Sequence, residues 1–158
     1  MLMVAALAAS CTVDTVCHTT KKIQANVGID SIFMWNEEHS DLISTDQWDT
    51  VSVRGIGTDS MVYDHATKVK LIALTLRVDT NITQFEIEWK HQLDTLSIRH
   101  IRDFQYVSLA CGCYVYHVID SVWSGKHFIQ ETIIEDSDVQ ETVAGHEVTN
   151  IRLVVNEP

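Results

Sequence analysis

The stretch Lys21-Lys22-Ile23-Gln24-Ala25-Asn26-Val27-Gly28-Ile29 sets Ile23, Ala25, Val27 and Ile29 against Lys22, Gln24, Asn26 and Gly28. Successive side chains of an extended chain point to opposite faces, so this period of two gathers the apolar set on one face and predicts a half-buried strand. The same alternation recurs at 50–56, 68–78, 84–89, 95–101, 106–119, 127–134 and 148–155, about eight strands in all. Between them, 36–47, 57–67, 79–83, 124–126 and 135–147 collect Gly, Asp, Asn and Ser and are expected to be turns and loops. No segment carries an apolar helical stripe behind a capping residue, so few or no helices are expected, the best place for one being 37–48. Short strands on hairpin-scale connections predict an all-β protein, an antiparallel β-sandwich of immunoglobulin-like or similar type. Phe85, Ile87 and Trp89 share one face and are expected in its core. The single proline is Pro158, so sheet edges must be protected by charge, twist or a partner.

The chain has 158 residues, 46% of them hydrophobic, which suits one domain with one sizeable core. Lysine and arginine total 11 against 22 aspartates and glutamates, for a formal net charge of -11. A surface that tracks phosphates needs clustered positive charge, so no nucleic-acid partner is expected.

Met1 to Ala9 is apolar, and Leu7-Ala8-Ala9-Ser10 before Cys11 resembles the lipobox of bacterial lipoproteins, although Ala8 holds the place where a lipobox prefers leucine. Residues 1–10 are thus expected to be a partial lipoprotein signal peptide, 11–20 a tether beginning at a lipidated Cys11, and 21–158 a single β-sandwich domain. Two acyl chains, at about 0.8 kcal/mol per buried methylene, would hold such a domain on a membrane.

With Cys11 lipidated, Cys17, Cys111 and Cys113 remain, and an oxidising compartment permits a disulfide from Cys17 to one of the other two. A bridge closing a loop of roughly a hundred residues is worth about 4–5 kcal/mol by chain entropy. On a single strand over 106–119, Cys111, Cys113, Val115 and His117 would share a face with Val107 and Leu109. That row is expected to be core or disulfide. Six residues of strand cover about 20 Å, too far for Cys111 and His117 to share one ion. No metal site and no cofactor are expected, a small metal-assisted hydrolase using Cys111, Cys113 and a distant histidine being the weaker alternative, and the scattered histidines are mostly expected at the surface. No G-x-S-x-G elbow or H-E-x-x-H pair occurs, so catalysis is not expected.

Gly55-Ile56-Gly57-Thr58-Asp59-Ser60 reads foremost as a hairpin turn or bulge whose glycine supplies positive φ, with Asp59 a weak candidate for calcium. Two exposed, roughly coplanar tryptophans among Trp35, Trp48, Trp89 and Trp123 would point instead to a sugar-binding module.

The stretch Val53 to Asp64, which contains Gly-Ile-Gly-Thr-Asp-Ser, resembles a motif of an uncharacterised family of Bacteroidetes envelope lipoproteins. Asp94-Thr95-Leu96-Ser97-Ile98, Val107 to Cys113, His117 to Val122 and a closing strand from His146 to Val155 extend the resemblance over nearly the whole mature chain. The resemblance implies a lipid-anchored envelope domain of unknown function, and it brings no catalytic residues with it. The expected function is that of a binding or accessory protein, held to the membrane by its lipid and partnered with an outer-membrane protein assembly. The periplasmic leaflet is slightly favoured over the outward one.

Overall fold

The computed structural model describes residues 23–36, 39–43, 47–58, 60–108, 112–139 and 148–156. Within them the protein is all-β, with no helix and two open sheets. The strands are β1 (Ala25–Asn36), β2 (His39–Ile43), β3 (Trp48–Gly55), β4 (Met61–Val69), β5 (Ile72–Leu74), β6 (Ile82–Trp89), β7 (Gln92–Ser108), β8 (Gly112–Ser124), β9 (Ile129–Ile134), β10 (Asp138–Val139) and β11 (Ile151–Asn156). One sheet runs β2-β1-β11-β9, with β5 paired to β1, and the other runs β10-β8-β7-β6-β3-β4.

The expected alternation puts Ala25, Val27 and Ile29 of β1 in the core opposite Phe85, Ile87 and Trp89 of β6 and Leu96 and Ile98 of β7. Trp48 and Trp89 meet edge to face with ring centroids 6.0 Å apart, and Trp89 leans on Phe128 at 5.7 Å. Aromatic pairs favour such tilted arrangements because the positive ring edge meets the negative face. Pairing is antiparallel except between β1 and β11, which run parallel with Val27 opposite Ile151. These two strands lie near opposite ends of the sequence, and no hairpin obliges them to run antiparallel.

Three expectations are corrected. The range 57–67 is not a loop, since Met61–Val69 forms β4 against β3. Its alternation is hidden because the strand lies at a sheet edge, exposed along most of its length, and its register slips twice against β3. The best helix candidate instead contains β2, an edge strand on β1. Most consequentially, 106–119 is not one strand. The chain reverses between Ser108 and Gly112, with Tyr106 opposite Cys113, so β7 and β8 form a long hairpin. The continuous face joining Val107 and Leu109 to Val115 and His117 therefore does not exist.

The two sheets are clamped at one end by amides. Asn150 Oδ1 accepts the Asn26 backbone N–H of β1 at 3.0 Å, while its Nδ2 donates to the carbonyls of Asp136 and of Asp138 in β10. Asn26 Nδ2 donates to the Val148 carbonyl. Both amides are buried, and these bonds satisfy groups that would otherwise be costly to desolvate.

Candidate functional site

Several buried polar groups hold the frame, while an exposed polar cleft and an exposed apolar arm stand out on the surface. Asp94, from the second motif, has a fully buried carboxylate. Its Oδ2 accepts the backbone N–H groups of His127, Phe128 and Ile129 at 2.9–3.2 Å, and its Oδ1 accepts that of Thr95 at 2.7 Å. Four N–H donors compensate the buried charge and fix the 125–129 turn, where β8 leaves one sheet and β9 enters the other. A Cβ at Gly125 would lie 2.6 Å from Asp94 Oδ1, which explains glycine there.

His65, His91 and His127 are exposed, whereas His100 of β7 and His117 of β8 are buried. Their Nδ1 atoms lie 3.0 Å apart and His100 Nε2 lies 2.9 Å from Thr83 Oγ1, which also accepts the Arg77 N–H. Desolvation, then the neighbouring His117 and Arg102, push the His100 pKa down to about 4. Burial and Arg102 lower His117 as well. Both rings are therefore neutral near pH 7, and each lies inside a hydrogen-bonded chain rather than facing a substrate.

The first exposed group lines a cleft of about 470 Å³ at the end of the sandwich where β6 turns into β7. Asp49, Ser52, His65, Glu88, Lys90 and His91 line it. Trp89 pairs with Gln92, so Lys90-His91 is a two-residue hairpin turn, with φ of 48° and 62°. Such a turn needs two left-handed residues and ordinarily takes Asn-Gly. His65 is left-handed too, at φ 47°, where β4 bulges against Ser52. Three non-glycine residues thus hold a conformation costly to them, and all three face one cleft. His65 Nδ1 lies 2.6 Å from Asp64 Oδ1, but Ser52 Oγ accepts the His65 backbone N–H, so these three do not form a Ser-His-Asp relay. Imidazole, ammonium, hydroxyl and carboxylate in one open cleft can donate and accept many hydrogen bonds at once.

The second exposed group is the outer part of the β7–β8 hairpin. The last β6 pair is Ile82 with Arg99, and β10 pairs with Val118 and His117, so among the described residues the hairpin from Asp103 to Ser108 is an arm of two strands. Ile101, Phe104 and Tyr106 are 60%, 53% and 61% exposed.

Of the residues singled out in the sequence, Cys11, Cys17, Cys111 and Asp59 lie outside the described residues, so the lipidation, disulfide and calcium expectations fall there. Cys113 is placed on β8 opposite Tyr106. Gly57 has φ 80° in the β3–β4 turn, the role foreseen for it. Trp48 and Trp89 are core and Trp123 is partly exposed under Arg99, so among the described side chains no second exposed tryptophan forms a sugar platform. The cleft was missed by sequence reading. Its one local signal was the Trp-Lys-His-Gln junction of two alternating runs.

The fold and site define an open β-sandwich with a polar cleft at one pole and an apolar arm at the other. The model of DUF6452, a family of unknown function, matches residues 50–153, and the chain belongs to that family. No curated protein and no solved structure matches it.

Proposed function

We propose that this protein is a lipid-anchored recognition protein of the bacterial cell envelope, acting without catalysis as an accessory subunit or partner of an outer-membrane assembly. The anchor is Cys11 in the lipobox-like segment, and the resemblance to Bacteroidetes lipoproteins supports that setting. The cleft at the β6–β7 turn carries the reading. Left-handed His91 and His65, with Lys90 stacked over the Trp89 ring, set charged and hydrogen-bonding groups along the cleft, where a partner would meet them. The buried imidazoles and Asp94, occupied within the frame, support binding over chemistry.

The test is recovery of the acylated protein from native membranes after mild crosslinking. A co-purifying outer-membrane protein, reduced by Lys90→Ala with His91→Ala, is the expected result. Recovery of free monomer alone would count against the proposal.

A further inference from the structure

We infer that the β7–β8 arm is a membrane-contacting element whose Ile101, Phe104 and Tyr106 enter the headgroup region of the bilayer that carries the anchor, an inference that rests on the Cys11 tether proposed above. Three observations converge on it.

The arm and Ile23, the first described residue, lie at the same pole of the sandwich. Ile23 precedes β1, whose Asn26 is tied to Asn150, which is tied to the Asp138 carbonyl, and Asp138 pairs with Val118 at the base of the arm. The cleft lies at the other pole, where β7 begins. From Cys11 to Ile23 an extended chain reaches at most about 40 Å, and the two-stranded part of the arm, Asp103 to Ser108, is roughly 20 Å long. The tether is long enough for the arm to touch the surface to which Cys11 is fixed.

Charge on the arm differs from that of the molecule. The whole chain has twice as many acidic as basic residues, yet between Arg99 and Ile119 the only acid is Asp103, against Arg99 and Arg102. A phosphate-bearing surface would repel most of this protein and repel the arm least.

The apolar groups point to both faces. Phe104, paired with Val115, and Tyr106 lie on one face, while Ile101 pairs with Val118, and Asp103 and Gln105 with Tyr116 and Tyr114, on the other. Three of the four tyrosines lie here. A protein groove covers one face of a hairpin, whereas a lipid interface surrounds both. Tyrosine suits that zone because its ring is apolar and its hydroxyl stays wet. Beyond His100, whose N–H donates to the Asn81 carbonyl, the outer edge of β7 pairs with no strand among the described residues, and backbone groups left to water hold the arm at headgroup depth.

The test uses the full chain isolated from membranes and reconstituted on phosphatidylethanolamine and phosphatidylglycerol vesicles containing nitroxide-labelled lipid. Phe104→Trp is compared with Leu93→Trp, an exposed position at the opposite pole. Quenching of the added emission should be several-fold greater for Phe104→Trp. Equal quenching, or none at position 104, overturns the inference, as does a photocrosslinker at 104 that captures a protein in cells instead of lipid. The mass of the leading peptide in the same preparation tests the anchor separately. An unmodified peptide together with strong quenching at 104 would remove the tether and leave the arm's contact standing.

Discussion

His100 and His117 face one another across the β7–β8 hairpin as a buried imidazole pair, Nδ1 to Nδ1 at 3.0 Å, with ring centroids 4.7 Å apart and planes near perpendicular. One nitrogen must donate and the other accept, so the contact exists only while at least one ring is unprotonated there. A first proton would place an uncompensated charge in the core beside Arg102, and a second would set N–H against N–H.

The pair makes stability depend on pH with a definite sign. Unfolded imidazoles titrate near 6.5, whereas folded His100 titrates at about 4 and His117 is also lowered. Between these values the unfolded chain binds more protons, so stability is full above pH 6.5 and is lost as pH falls toward 4. The loss is on the order of 3 kcal/mol for His100. Urea midpoints at pH 7.5 and 4.5 check this; a His100→Phe, His117→Leu variant should show a much flatter difference, and an unchanged difference would refute the assignment.

Asp94→Ala should be among the most damaging single changes. It strands four backbone N–H groups around the 125–129 turn, at a cost of about 3–5 kcal/mol. Gly125→Ala acts on the same carboxylate by crowding it, at about 1–3 kcal/mol. Denaturant unfolding measures both, and the two effects should be less than additive because they share one site.

Replacing Lys90-His91 with Asn-Gly should stabilise the fold by about 1 kcal/mol, since those residues accept the left-handed turn with less strain. The same change removes an ammonium and an imidazole from the cleft, so partner recovery should fall while the melting temperature rises. A stabilised variant with undiminished partner recovery would show that the cleft is not the contact.

Arg152 of β11 donates Nη1 to Asp30 of β1 at 3.0 Å and reaches Glu135 beyond β9 through Nε and Nη2, joining three neighbouring strands. Both carboxylates hold its guanidinium pKa above the ordinary arginine value. Arg152→Ala should cost about 1–2 kcal/mol, reduced in high salt because the group is partly exposed. Arg152→Lys should recover only part, as an ammonium cannot fork between two acids. Thermal melts at low and high salt decide it.

Much of the sandwich could be read locally. Ala25, Val27 and Ile29, and likewise Phe85, Ile87 and Trp89, alternate because each set lies on the strand face turned to the core, and that pattern needs no partner to be seen. The β4 strand could not be read, because an edge strand with a slipping register and left-handed His65 and Lys68 buries too little to alternate. Those irregularities protect an edge that no proline interrupts.

The order of residues by itself determined that this chain is built of strands and that Trp89 is core, because face alternation is a property of neighbours in sequence. Only the tertiary structure decided where the chain turns back between Ser108 and Gly112, which histidines are buried, and that Asn150 ties Asn26 of β1 to β10 of the other sheet. Those outcomes depend on pairings between residues as far as 124 positions apart, whose energies appear only once the two sheets enclose them and exclude water.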